Sequence, residues 1–387
     1  MRRAHPGEVG ALTGIRPADP THGTCDPAFG AVRDAFRRNF AEHGEVGASL
    51  CVRIDGRTVV DLWGGQTEPT GAPWGPDTLV NAFSVGKGIT AILALLCVDR
   101  GLLSYDDRVA LLWPGFGHGE LTFAGLLGHR AGLPALRADL DDEVLFDWDR
   151  VCSMLAAETP WWEPGTAHGY HVNTFGFLAG EVLRRVTGKN PGELLRDLLS
   201  GASGEGLWFG VPTDLQAAVA TLLWSDGTRA ADTAVGNDEQ TEMYRRAHAN
   251  PPGISGVGIV NTSRWRSAVL PSTNLHATAR GVSAAFSVLC NGSVGREPLA
   301  QATAEVSMGT DRLLGRTTRF GSGFQLPIPE RGFGPEPTAF GHFGAGGSLG
   351  FVDPVRRISF GYVMNQMGRG WQNPRNRGLV DALYSCL

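Results

Sequence analysis

Strand-like segments lie at the two ends of this chain and the long middle reads as helix, a distribution that limits the fold more than any other feature. Near the start, GASLCVRIDGRTVVDLWGG sets two short apolar runs around Asp55-Gly56, the kind of pair that a tight hairpin turn favours. Near the end, FGSGFQLPIPE, GSLGFVDP and RRISFGYVMNQ read as strands, with a turn at Asp353-Pro354. Phe29, Val32, Phe36 and Phe40 recur at helical spacing over residues 27–43. Residues 86–100 are apolar on nearly every side, which predicts a buried helix with Ser84 at its mouth and Gly101 closing it. HATARGVSAAFSVLCNG predicts another helix ended by Asn291-Gly292, and residues 375–387 a closing one. The pattern predicts an α/β fold whose single sheet is built from both termini around a helical insertion. The expected division is an irregular lead-in over residues 1–24, an α/β subdomain from 25–75 and 277–387, and a mainly helical subdomain over 76–276. The active site is expected between the two subdomains.

The stretch NAFSVGKGIT, residues 81–90, admits two chemistries. A phosphate-binding loop needs a glycine where this chain has Asn81 and a Ser or Thr where it has Gly88, so nucleotide binding through this loop is excluded. The other reading takes Ser84 as a nucleophile and Lys87 as its base. If Ser84 opens the helix, position i+3 returns to the same face and the amine meets the hydroxyl. Burial and the positive end of the helix dipole both disfavour the ammonium, so Lys87 can lose its proton near neutral pH. A neutral amine beside a serine is the Ser-Lys form of acyl-transfer catalysis, with the Ser84 N–H contributing to an oxyanion hole. Composition adds one observation: of 34 basic residues 32 are arginine, and the lysines are Lys87 and Lys189. Lysine can act as a base where arginine cannot.

Three further segments stand with this one: LLGHRAGLP (126–134), PGTAHGYHVNTFGFLAGEVLRRVTGK (164–189) and FGHFGAGGSLGFVDP (340–354). Together they resemble the serine β-lactamase and penicillin-binding-protein superfamily, over about residues 27–387, and within it the class C β-lactamase-like esterases (family VIII carboxylesterases). The resemblance implies a β-lactamase/transpeptidase-like fold, an antiparallel sheet flanked by helices plus a mainly helical subdomain. It implies Ser84 as the acylated nucleophile, Lys87 as its partner and Tyr170 as the tyrosine that moves protons. His342-Phe343-Gly344 falls on the third motif, and Ala345 supplies the second oxyanion N–H. Where β-lactamases have Tyr-x-Asn, this chain reads Tyr170-His171-Val172, with Asn173 one place off. Where they have Lys-Thr-Gly, it has a histidine. Both departures favour neutral ester or amide substrates over β-lactams. His342, Gly344 and His171 are expected to contact substrate, and Trp161-Trp162 to form an aromatic pocket at the site mouth.

Gly346-Gly347-Ser348-Leu349-Gly350 matches the GxSxG nucleophile elbow, but strand-like sequence follows it where that elbow needs a helix, so Ser348 is read as structural. His168 and His171 lack a third ligand at suitable spacing, so no metal and no cofactor are expected. His129 is read as bracing a turn. A formal charge of −5 without basic clusters excludes nucleic acid as a partner, and no apolar run approaches the about 20 residues of a membrane helix. With no apolar signal segment at the N-terminus and six scattered cysteines, a cytoplasmic enzyme with free thiols is expected. The expected function is hydrolysis of a carboxylic ester through an acyl-enzyme; the alternatives are a transacylase passing the acyl group to an amine or alcohol acceptor, and behind it a β-lactamase or a non-catalytic binding module. Acceptor contacts are expected in residues 201–252, with Trp208, Trp224 and Tyr244.

Overall fold

The computed structural model describes residues 21–225, 236 and 238–387. In chain order the strands are β1 (Thr21–Cys25), β2 (Gly47–Ile54), β3 (Arg57–Gly65), β4 (Val80–Asn81), β5 (Leu207–Trp208), β6 (His276–Ala277), β7 (Ser307–Thr310), β8 (Thr317–Phe320), β9 (Phe340–Phe343), β10 (Leu349–Asp353) and β11 (Ile358–Met364). Six of them form one antiparallel sheet in the order β1-β3-β2-β11-β10-β9, so strands from the two ends of the chain meet at the β2–β11 pairing, where Leu50 lies opposite Tyr362. The Asp55-Gly56 hairpin forms as expected, both residues taking the positive φ (52° and 76°) that such a turn requires.

The helices that matter here are α1 (Gly30–Glu42), α2 (Val85–Asp99), α3 (Phe175–Thr187), α4 (Glu239–Ala249), α5 (Ala279–Ser287) and α6 (Pro374–Ser385). Strand β11 is buried along its whole length, because helices cover both faces of the sheet. Gly361 faces α5, where a Cβ would lie 2.3 Å from the Ala279 carbonyl, and Tyr362, the next residue, hydrogen-bonds Glu45 below α1. Alternation along the strand therefore sends α5 and α1 to opposite faces. Helix α2 lies between the sheet and the helical region with every residue from Val85 to Cys97 buried. Each fully buried Leu or Ile in it contributes about 1.5–3 kcal/mol, which makes α2 a rigid base for whatever its first turn carries.

Three expectations change. Residues 21–24, placed in the irregular lead-in, form with Cys25 an edge strand on β3, because THGTC finds an open sheet edge to pair with; residues 1–20 lie outside the described residues. FGSGFQLPIPE is a strand only at Phe320; beyond it two glycines and two prolines break the ladder, and Gln325 makes single bridges to Phe320 and Gly341. The middle is not helix alone: His276-Ala277, read as the start of a helix, is the central strand of a small sheet β4-β6-β5. The β7–β8 hairpin, assigned by sequence to the sheet subdomain, packs on the middle of the chain: Ser307 Oγ donates to Gly128 O at 2.7 Å and Arg312 N to His168 O at 3.0 Å.

Candidate active site

Strand β4 delivers the chain to the start of α2. Asn81 anchors it by donating to Thr273 O at 3.0 Å, and Ala82 N donates to Leu275 O at 2.7 Å. Phe83 then turns with φ of 48°, a conformation costing a non-glycine residue about 1–2 kcal/mol. Such strain is held by its surroundings and is concentrated at functional sites. Ser84 follows at the N-cap position, yet its side chain makes no capping hydrogen bond; its hydroxyl lies 3.0 Å from Lys87 Nζ.

Lys87 is fully buried. Its amine also reaches Val172 O at 2.7 Å and Ser272 O at 3.0 Å. Two carbonyls and one hydroxyl therefore surround the amine, with no carboxylate among its hydrogen-bond partners. Burial lowers its pKa well below the ordinary 10.5, and no carboxylate opposes that shift. The glycines around it make room for other parts of the chain. A Cβ on Gly86 would lie 2.4 Å from Pro271 O, and one on Gly88 3.0 Å from the His342 Cβ, so they admit neighbouring segments to the helix.

Tyr170 arrives from a separate segment pinned at successive positions. Gly169 N donates to His129 O and His171 N to His129 Nδ1, both at 3.1 Å, while Thr174 Oγ1 donates to Leu133 O at 2.7 Å. Tyr170 N donates to both carboxylate oxygens of Asp311, at 3.1 and 3.0 Å. The ring is buried, with Lys87 Nζ 4.8 Å from its centre, Phe320 stacked at 5.9 Å, His342 at 6.1 Å and Trp371 edge-on at 5.0 Å. Its hydroxyl has no partner of good geometry, and Ser84 is near enough to act on its titration. Burial holds its pKa above the ordinary 10.0, with the Asp311 charge adding to the shift, so the phenol stays protonated at neutral pH.

The third motif closes the group from β9. His342 is fully buried; its Nδ1–H donates to Phe343 O at 2.7 Å, Nε2 has no partner, and burial lowers its pKa to about 3. It is a neutral imidazole and supplies no fixed cation. Gly344 meets the nucleophile's own strand: a Cβ there would lie 2.4 Å from Ala82 O. Only glycine lets the β9 loop come this close to the turn before Ser84. The following loop is clamped from below, where Gly346 O accepts from Asn373 Nδ2 at 3.0 Å and from Arg375 at 3.1 Å. Arg375 is itself buried against Glu45 at 2.7 Å. No hydrogen bond among the described residues uses the N–H of Ser84 or of Ala345.

Thus Ser84, Lys87, Tyr170 and His342 converge, with Gly344-Ala345 beside them. Other expected contacts do not join the group. His171 spends both nitrogens inside the fold: Nδ1 faces Gly169 O at 2.6 Å and Nε2 accepts from Leu133 N at 2.9 Å, so neither is left for a substrate. Trp161 donates to Ala135 O at 2.9 Å and Trp162 to Ala167 O at 3.1 Å, both in a small cluster with Met243, Ala247 and Leu313. In the middle segment, Trp224 packs edge-on to Phe83 at 6.1 Å and Tyr244 sits on His248 in α4, while Trp208 lies in β5; residues 226–235 and 237 lie outside the described residues. Sequence reasoning missed Asp311 and Trp371. Asp311 accepts from Tyr170, Leu313, Leu314 and Thr318, and a buried acceptor of four donors holds the tyrosine in register. Among the described residues no group of His, Cys, Asp and Glu could hold a metal ion, and no helix is long and apolar enough to cross a membrane.

A sheet from both chain ends, with a serine and lysine one turn apart on the buried helix beside it, defines the β-lactamase/transpeptidase-like serine enzymes. Residues 32–384 match the family model described as Beta-lactamase, and the chain belongs to that family. The esterase/beta-lactamase LipL of Mycobacterium tuberculosis is 31% identical over 367 residues, covering 89% of this chain and 83% of its own length. A family VIII carboxylesterase of known crystal structure superposes with a TM-score of 0.86 at 38% identity, covering 95% of this chain and all of its own. A penicillin-binding-protein homologue from Caulobacter crescentus gives 0.86 at 37% identity over the same shares. Acyl-enzyme chemistry of the serine-hydrolase type follows from this membership.

Proposed function

We propose that this protein is a carboxylesterase in which Ser84 is the acylated nucleophile, and the observation that carries the reading is the buried, uncompensated amine of Lys87 at 3.0 Å from Ser84 Oγ. Lys87 takes the serine proton as Oγ attacks the ester carbonyl. The N–H groups of Ser84 and Ala345, free of other acceptors, stabilise the oxyanion. Collapse of the tetrahedral intermediate breaks the bond to the alcohol oxygen, which receives a proton through Tyr170. The raised pKa keeps the phenol protonated, so it passes its proton to the alcohol oxygen as it takes one from Lys87 and does not start the reaction as a base. Water then attacks the acyl-enzyme, passing its proton to Lys87, which returns it to Ser84 Oγ as the bond to the acyl carbon breaks and the carboxylic acid leaves. Val172 stands where β-lactamases keep an amide and neutral His342 where they keep a cation, so β-lactams are poor substrates in this reading.

The alternative, transfer of the acyl group to an amine or alcohol, uses the same residues and has Trp224 beside Phe83 as a candidate acceptor contact. Six free cysteines, three of them fully buried in the fold, suit a reducing cytoplasm. The substrate is a small ester or amide, with no cofactor. Product analysis tests the reading: with 4-nitrophenyl acetate in plain buffer, hydrolysis predicts one acetate per nitrophenol released. Formation of acetyl-amine or acetyl-ester in proportion to added amine or alcohol, with little free acetate, would instead make it a transacylase.

A further inference from the structure

The rim of the site carries charge that the proposed chemistry does not use. Arg316, at the turn between β7 and β8, and Arg331, in the loop after β8, both lay a guanidinium over Trp371, with Cζ 4.6 and 5.2 Å from the ring centre. Trp371 in turn meets the Tyr170 ring edge-on at 5.0 Å. The two cations oppose each other: burial first, then the field of Arg316, lowers the pKa of Arg331 to about 10. Among the described residues neither forms an ion pair. Arg331 donates to Thr317 O at 3.3 Å, and Glu330 and Asp311 act on it only from a distance. A chain of net charge −5 thus keeps two like charges together on one indole, without an ion pair, beside a buried site whose histidine is neutral and whose lysine has its pKa lowered by burial. Two forked guanidinium groups that share one indole and feel each other's charge are suited to bind a carboxylate between or beside them.

Their position fixes which part of a substrate they face. The departing alcohol oxygen must come within hydrogen-bond reach of the group that protonates it, Tyr170. Trp371 packs directly on Tyr170, so the arginines border the side on which the alcohol leaves and an acceptor enters. We propose that Arg316 and Arg331, held by Trp371, form an anion subsite for a carboxylate carried on the alcohol portion of the ester. This rests on the acyl-transfer reading of Ser84, Lys87 and Tyr170 and names its substrate class: esters of carboxylate-bearing alcohols or phenols. The expectation of neutral substrates then holds for the His342 side only.

Phenyl acetate and 4-acetoxybenzoate share an acyl group and differ by one carboxylate on the departing phenol. In the double variant Arg316→Gln/Arg331→Gln, kcat/KM for 4-acetoxybenzoate is expected to fall about tenfold relative to that for phenyl acetate, the size of a charge-assisted contact. Arg316→Lys/Arg331→Lys, which keeps both charges, restores part of that ratio. Because the ratio is read within each preparation, a partly misfolded variant lowers both rates and leaves it unmoved. An unchanged ratio in the Gln pair, or an equal response when the carboxylate is moved to the acyl side in monophenyl adipate, overturns the subsite. Full turnover of phenyl acetate by Ser84→Ala overturns the acyl-transfer reading itself, an outcome separate from any change in the ratio.

Discussion

Ser84 and Ser348 both sit in glycine-rich turns, both are buried, and both match a nucleophile motif, yet they meet opposite surroundings. Ser84 opens an apolar helix with a buried amine 3.0 Å from its oxygen and two uncommitted N–H groups near it. Ser348 enters strand β10, its hydroxyl touches no partner, and its carbonyl accepts from Gly344 N at 2.7 Å to tie off the loop that carries Ala345. A short motif therefore states only that a serine and glycines are adjacent. What makes a hydroxyl reactive is the base beside it and the backbone geometry around it, which the elements before and after the motif decide.

The largest expected difference between the two comes from removing each hydroxyl. Ser84→Ala lowers kcat/KM for 4-nitrophenyl acetate by about 10³-fold or more, and Ser348→Ala leaves it within about threefold. Next is the base. Lys87→Arg keeps a long side chain but cannot give up its proton, and a fall of about 10²–10⁴-fold is expected. Full activity in that variant would remove Lys87 from the chemistry and make the two serines more alike than claimed. Tyr170→Phe loses about 10²-fold, chiefly in kcat, since the proton for the leaving oxygen is gone while the ring packing on Phe320 and Trp371 survives.

A smaller effect follows from Asp311→Asn, which keeps the shape but replaces one acceptor of four donors with an amide. Loosening Tyr170 is expected to cost about tenfold in kcat and about 1–3 kcal/mol of stability, read together from kinetics and a denaturant curve. The smallest concerns pH. Lys87 has a lowered pKa, so its neutral, active form is present above that value and is lost as pH falls through it; Tyr170 has a raised one, so its proton is kept well past pH 10.0. The kcat/KM profile should therefore reach its plateau well below pH 10.5 and show no tyrosine limb on the alkaline side, whereas a rate still climbing at pH 10.5 would mean an ordinary, solvated lysine.

The parts of this arrangement that could be read from sequence are those whose spacing is local. Ser84 and Lys87 are three apart on an apolar helix, the Asp55-Gly56 turn lies between two alternating runs, and the sheet residues at each end show strand character by themselves. Asp311 and Trp371 could not be read, because each acts on Tyr170 across more than a hundred residues and leaves no periodic trace near it. His171 misled for the complementary reason: adjacency to Tyr170 in sequence suggests a shared role, but successive residues of an extended segment face opposite ways, and its ring turns back to Leu133 N. The small sheet β4-β6-β5 escaped notice because two-residue strands carry no alternation to detect.

The most direct test of the central claim is the site of acylation. Wild type, Ser84→Ala and Ser348→Ala are each exposed briefly to 4-nitrophenyl acetate, quenched in acid, weighed intact by mass spectrometry and mapped by peptide. The account predicts one acyl group on wild type and on Ser348→Ala, located on the peptide that holds Ser84, and none on Ser84→Ala. An acyl group retained by Ser84→Ala, or mapped to Ser348, would contradict it.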